Sequence, residues 1–305
     1  MDKTKRGIAL FITLLIIASI LSIVAVSFSY LEKAQDDAGE SSALIQGNLL
    51  YKNTTNILKH LFPKGKADSK KLDLLYSLPM MLSEEESGFM VNLQCMPLMM
   101  GVPIAWLDES FSKKIPQRYE LAVNVLEYIF EKYEIKEPDA LKSRIFNRID
   151  GVEDEDFERR IVAKSRVISR KEWDKILLDY RLEYNDVNVF RVPWEKYFVF
   201  IEVSKAVVID GEYLSAELIA AAFEIPLDTV KEQWVIDLET DSKPTLANFI
   251  AENGTGDSID PKLFSSKGLN AMHCEETYAY RDRHYRFSFD YENERNRNFE
   301  FYGKI

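Results

Sequence analysis

Three groups of residues in this chain could do chemistry by their type and spacing. The first is an acidic run, Asp150, Glu153, Asp154, Glu155 and Asp156. Carboxylates at that loop density suit calcium, a hard cation that gathers oxygen ligands from short, flexible segments. The Asp-x-Asp-x-Asp-Gly spacing of an EF-hand is missing, and a solvated acidic loop has the same composition. The second group is Cys95 and Cys274, the only two cysteines. In an oxidising compartment they could pair, whereas alone they cannot build a four-thiolate zinc site. A buried free thiol is the alternative, since Cys95 lies in an apolar run. The third is the loop Asn253-Gly-Thr-Gly-Asp257-Ser-Ile-Asp260. It offers oxygen ligands, but its glycine spacing is not that of a phosphate-binding loop, and it reads as a turn.

Catalysis finds little support, and no enzyme activity is expected. His60, His273 and His284 are the only histidines, with no His-Glu-x-x-His pair and no Gly-x-Ser-x-Gly elbow. His273 and Cys274 are adjacent in a strand-like segment, so their side chains point to opposite faces and cannot work as base and nucleophile. The net charge of −11 and pI near 5.0 argue against a nucleic-acid partner, because phosphate binding needs a basic footprint.

The elements that must carry these residues begin with a run from Ile8 to Phe28 that has neither charge nor proline. As a helix it spans roughly 30 Å, the thickness of a bilayer core. Lys3, Lys5 and Arg6 precede it and Glu32, Asp36, Asp37 and Glu40 follow, so the stub is expected in the cytoplasm and the body outside. Three readings compete: a secretory signal cut near Ala25-Val26-Ser27, an uncleaved anchor, or a leader cut between Gly7 and Ile8 with the helix retained. Apolar spacings of three and four continue through Leu31, Ala34, Ala38, Leu44, Ile45, Leu49, Leu50, Ile57, Leu58 and Leu61. They predict an amphipathic stalk whose apolar side packs on a sheet and which stops at Phe62-Pro63.

Beyond the stalk the pattern predicts a helical turn over Leu72–Met81 and short strands at Phe89–Leu93 and Val102–Leu107. Helices follow at Gln117–Tyr133, Ala140–Ile149, Ser169–Tyr180, Ser215–Phe223 and Leu227–Val235. Ser169 and Glu172 have the spacing of a capping box. The end is strand-like over Glu275–Arg281, Tyr285–Tyr291 and Phe299–Tyr302. Helices flanked by strands point to an α+β chain in which a helical domain interrupts a sheet domain. The expected division is 1–7, 8–62, 63–112, an inserted helical domain at 113–235, and a closing sheet segment at 236–305.

Lys5-Arg6-Gly7 followed by Ile8-Ala-Leu-Phe-Ile-Thr-Leu-Leu closely resembles the leader of pilin-like proteins. The chain as a whole resembles the K-type minor pseudopilins of bacterial type II secretion systems (general secretion pathway protein K family). Arg144-Ile-Phe-Asn-Arg-Ile-Asp150-Gly151, Gly151-Val-Glu153-Asp154-Glu-Asp156-Phe157 and Val207-Val-Ile209-Asp210-Gly-Glu-Tyr-Leu214 are similar to that family's middle segments, with Asp210 in place of an asparagine. Ordinary pilin subunits carry a glutamate at the fifth mature position. Here that position is Ile12, and the K-type family also lacks the glutamate.

The resemblance implies a transmembrane and stalk helix, a pilin-like antiparallel sheet, and an inserted domain akin to sterile-alpha-motif folds. It implies cleavage by prepilin peptidase between Gly7 and Ile8, with N-methylation of Ile8. It also implies calcium sites in the helical domain, whose neighbourhood matches Asp150, Glu153, Asp154 and Asp156. Implied partners are I-type and J-type minor pseudopilins, the major pseudopilin and the inner-membrane assembly platform. The implied place is the bacterial inner membrane, single-pass, with the N-terminus cytoplasmic and the C-terminal domain periplasmic. A minor pilin of a type IV pilus or competence system, or a membrane-anchored periplasmic binding protein, is the alternative.

Overall fold

The computed structural model describes residues 3–65, 68–84, 89–150, 169–201, 208–235, 244–254, 260–280 and 283–304. Helix α1 (Lys3–Leu61) runs unbroken for 59 residues, roughly 90 Å at 1.5 Å per residue. No proline interrupts it. In the apolar half the hydroxyls of Ser19, Ser22 and Ser27 donate to the carbonyls of Leu15, Ala18 and Ile23 at 2.9 Å, so these three need no water partner. Among the described residues this is the one helix long and apolar enough to cross a membrane, and its most apolar stretch is wholly exposed.

Helix α2 (Ser69–Ser77) leads into strands β1 (Met80–Glu84) and β2 (Phe89–Pro97). Met80 and Met81 therefore belong to a strand rather than to the end of a helix over Leu72–Met81. Met80 and Met81 sit opposite Leu93 and Asn92 on β2, and that cross-strand pairing overrides methionine's helical preference. The two-residue strand β3 (Val102–Pro103) is shorter than the expected Val102–Leu107, because Ile104–Leu107 close into a 3₁₀ turn after Pro103.

A mostly helical segment follows: α3 (Glu109–Lys114), α4 (Pro116–Lys132), α5 (Pro138–Asp150) and α6 (Arg170–Tyr184). Strand β4 (Phe198–Val199) pairs in parallel with β3. Helices α7 (Ala216–Phe223), α8 (Leu227–Gln233) and α9 (Leu246–Asn253) complete it. The capping box at the start of α6 forms as expected: Glu172 N–H donates to Ser169 Oγ at 3.2 Å and Ser169 N–H to the Glu172 carboxylate at 3.1 Å. These elements enclose a core around Trp106, Trp173, Trp194, Tyr180, Tyr197 and Phe198. Val102, Ile104 and Trp106 on one side, and Leu246, Phe249 and Phe264 on the other, belong to the same core. The packing division thus lies outside residues 113 and 235, because chain polarity marks where helices begin and not which sheet or helix they pack on.

The chain then returns as β5 (Ala271–Tyr280), β6 (Arg283–Glu292) and β7 (Arg295–Lys304). The five-stranded antiparallel sheet has order β1-β2-β5-β6-β7, so β5 pairs with β2 across the whole helical segment. Its inner face (Val91, Leu93, Cys95, Met272, Cys274, Tyr278, Tyr285, Phe287, Phe289, Tyr291) forms a second core with α1 and α2. The architecture is α+β: a long helix laid on an antiparallel sheet that a helical segment interrupts.

Candidate functional site

The outward face of α1 departs most from the sequence expectation. The residues that α1 buries against the sheet are Ala43, Gly47, Thr54, Thr55, Leu58 and then Phe62, with Leu50 and Tyr51 half-buried. The more apolar stalk residues face away: Ile45 is 64% exposed and Leu49 52%, with Leu44, Ile57 and Leu61 also exposed. The predicted packing face is therefore reversed for Leu44, Ile45, Leu49, Ile57 and Leu61 and correct for Leu58. Small residues take the inner face because the sheet presents tyrosines and phenylalanines. A Cβ on Gly47 would sit 3.0 Å from the Tyr278 hydroxyl, so the helix comes close only where that side chain is missing.

Polar contacts lock this seating along the helix. From the sheet, Tyr278 donates its hydroxyl to the Ala43 carbonyl, and Asn296 donates its amide to Thr55 Oγ1 at 2.6 Å. Tyr291 donates to the Phe62 carbonyl at 2.9 Å. In the other direction, Thr54 donates to the Glu276 carboxylate at 2.8 Å. At the opposite end Arg283, at the β5–β6 turn, pairs with Asp36 at 2.6 Å. Glu276 is fully buried, and burial raises its carboxyl to about 7 against the lowering effect of the Thr54 bond.

These contacts give the sheet a direction. The β5–β6 turn lies beside Asp36, close to the apolar half of α1, whereas the start of β5 lies near Phe62 and Pro63, whose carbonyl accepts from Asn270 at 3.0 Å. The helical segment leaves from the end of β2 and re-enters at the start of β5. It therefore joins the sheet at the end farther from the apolar half of α1. From Phe28 to Leu61 the helix advances roughly 50 Å.

The joint itself is built on Asp210. Its Oδ1 accepts from the N–H groups of Glu212 and Tyr213 at 3.0 and 3.2 Å, and its Oδ2 from Leu269 N–H at 2.7 Å. Burial nevertheless raises its carboxyl to about 6. Tyr213 donates to Asp73 on α2 at 2.7 Å, and Ser69 donates to Glu212 at 2.9 Å. One loop thus fastens the helical segment to α2 and to the strand that follows.

No family model matches this chain, and no curated protein matches it. A solved structure does. The chain is similar to the "GspK-GspI-GspJ complex from enterotoxigenic Escherichia coli Type 2 Secretion System" at 11% identity, covering 86% of this chain and 98% of that chain, with a TM-score of 0.49.

The remaining sequence candidates fall as follows. Gly7, Ile8 and Ile12 lie on α1, but their side chains fall outside the described residues. Asp150 is the last residue of α5, and Glu153, Asp154 and Asp156 lie outside the described residues. Among the described residues no group of three or more His, Cys, Asp or Glu is arranged to hold a metal ion. In the Asn253–Asp260 loop, Asn253 ends α9 and Asp260 accepts from Lys262 N–H at 2.9 Å, as in a turn; 255–259 lie outside the described residues. His60 lies on α1, apart from His273 and His284 on the sheet; His273 Nδ1 sits 2.7 Å from Asp290. Cys95 and Cys274 oppose each other in the β2–β5 register and form a disulfide, while His273 points to the other face.

Sequence reasoning missed Gly47, Thr54 and Glu276. A signal was available: the small residues Ala43, Gly47 and Thr54 recur at helical spacing on one side, which Leu58 and Phe62 continue. Small stripes mark close helix packing, but hydrophobicity alone ranks them below their leucine and isoleucine neighbours.

Proposed function

We propose that this chain is a membrane-anchored minor pseudopilin of a type II secretion system, and that it takes the tip position of the pseudopilus. The single observation that carries this reading is the orientation of α1. The helix turns Ala43, Gly47 and Thr54 to its own sheet and leaves the large apolar residues from Leu14 to Leu31, and Leu44, Ile45 and Leu49, exposed. Apolar surface exposed on both the membrane half and the stalk, on either side of the polar stretch 32–42, is costly in a monomer and is relieved by packing beside other helices of the same kind. A fibre of pilin-like subunits supplies such helices.

Two further observations favour the tip. The helical segment joins the sheet at the membrane-distal end, where its bulk obstructs addition of a subunit above. Ile12 lacks the carboxylate with which a subunit neutralises the N-terminal ammonium of a neighbour already in place, and a first subunit has no such neighbour. The partners in this reading are the I-type and J-type minor pseudopilins and the major pseudopilin. The assembly platform holds the cytoplasmic side, and prepilin peptidase cuts at Gly7–Ile8. The body is periplasmic, and fibre growth initiated or capped by this chain drives export of folded proteins across the outer membrane. Calcium at Asp150, Glu153, Asp154 and Asp156 remains part of the proposal, tested by titrating the chain with calcium and following its melting temperature.

The test combines processing with assembly. Mass spectrometry of the membrane-extracted chain is expected to give a mature N-terminus at N-methylated Ile8. The full chain is expected to co-purify with its neighbouring minor pseudopilins, and Ile45→Asp with Leu49→Asp is expected to abolish that while leaving the fold intact. An intact Met1 or a start near residue 28 would overturn the pilin reading. Undiminished co-purification of the double variant would remove the helix face as its basis.

A further inference from the structure

Between α1 and the sheet lies a carboxyl group that serves neither packing nor an ion pair. Glu276 is fully buried on the inner face of β5. One of its oxygens accepts from Thr54 of α1 at 2.8 Å, while Oε1 has no hydrogen-bond partner. Across the register it is flanked by Leu93 of β2 and Phe287 of β6. Its own strand contributes Cys274, tied in the disulfide, and Tyr278, whose hydroxyl is committed to the Ala43 carbonyl. From α1 it meets Thr54, and one turn earlier stands Tyr51, whose ring packs on Phe289 and Phe299. Among the described residues at these positions the titratable groups are two phenols, Tyr278 and Tyr51, both pushed above their ordinary value by burial. Neither carries a positive charge to balance a carboxylate.

We propose that Glu276 is a proton-operated latch between the stalk helix and the sheet. Protonated, the carboxyl is neutral and α1 lies closed on the strands. Ionised, it holds an uncompensated charge in an apolar seam, and the turn of α1 around Thr54 lifts to let water reach it. The chain therefore couples the seating of its stalk helix to the pH around its sheet. The coupling resides within this one chain and holds whether or not the chain assembles into a fibre.

The sign follows from the raised carboxyl. Glu276 takes up protons more readily closed, at about 7, than open, near its ordinary 4.5, so closure is favoured in acid and lost as pH rises through about 7. Between pH 5.5 and 8.5 those two values change the opening equilibrium by about 30-fold.

The test is hydrogen exchange on the full chain in detergent micelles, read on amides 51–58 and corrected for the intrinsic pH dependence of exchange. Protection is expected to fall by about 30-fold from pH 5.5 to 8.5. Glu276→Gln is expected to abolish the fall. Amides of α6 serve as the control and are expected to keep their protection. Thr54→Val removes the bond that holds the carboxyl down, so the fall should move to higher pH; this variant decides the matter if Glu276→Gln does not fold. Constant protection in the wild type, the same fall in Glu276→Gln, an equal fall in α6, or an unmoved transition in Thr54→Val would each overturn the latch.

Discussion

Removing the disulfide should weaken one of the two cores and leave the other untouched. Cys95 and Cys274 are 179 residues apart, and the loop they close contains the whole helical segment. Treated as a flexible loop of that length, the bridge lowers the entropy of the unfolded chain by an amount equivalent to about 5 kcal/mol. The helical segment has its own core, however, around Trp106, Trp173 and Trp194. If it stays folded while the sheet opens, the flexible part of the loop shrinks to its two short connections. A loop of that size is worth only about 3 kcal/mol. The expected loss on Cys95→Ser with Cys274→Ser therefore lies between about 3 and 5 kcal/mol, and the lower figure applies if the cores unfold separately. All four tryptophans of the sequence (Trp106, Trp173, Trp194 and Trp234) are buried in the helical core, so tryptophan fluorescence reports on that core alone. Hydrogen exchange on β5 and β6 reports on the sheet. In urea the fluorescence midpoint should stay fixed, while the exchange midpoint falls by about 1–2 M, given a slope of about 2–3 kcal/mol/M. Equal shifts in both signals would refute the independence of the two cores. A sheet shift worth less than about 1 kcal/mol would refute the loop argument.

The seating of α1 and the joint of the helical segment are open to simpler tests. Gly47→Leu would force a side chain onto the Tyr278 hydroxyl, which a Cβ alone already reaches at 3.0 Å. It should cost about 1–3 kcal/mol by overpacking, read as a lower urea midpoint of the sheet, whereas the same change at Gly39, with nothing within 4 Å, should be neutral. Asp210→Ala would leave three N–H groups, of Glu212, Tyr213 and Leu269, without their acceptor. Each unsatisfied group costs about 1–3 kcal/mol, so the variant should lose several kcal/mol unless water enters the joint. Limited proteolysis at the joint reads the result, and an unchanged cleavage pattern would contradict the role given to Asp210.

Much of the architecture was legible because it depends on local pattern. A charge-free apolar run can only be an exposed membrane helix or a buried one, and its length matches a bilayer. Ser169 and Glu172 mark the start of α6 because both sides of the capping box lie within four residues. The alternation in Tyr285–Tyr291 gives the buried face of β6, since successive strand residues face opposite ways. Val102–Leu107 reads as one strand because its apolar run is continuous, and periodicity cannot separate a buried strand from a buried turn. Met80–Met81 reads as the end of a helix because methionine fits either element until a partner strand decides.

The sequence by itself determined the long helix, its apolar half, the helical middle and the strand-rich end. These are set by spacing and composition over a few turns of chain. Only the tertiary structure decided which side of α1 meets the sheet. Hydrophobicity favoured Ile45 and Leu49, but the inner surface beside Tyr278 is already filled by aromatic rings, so that stretch of α1 turns Ala43, Gly47 and Thr54 inward. The same seating buried Glu276 beside Thr54, 222 residues away in the chain. A carboxyl's partner across that distance is fixed by packing, and no local pattern records it.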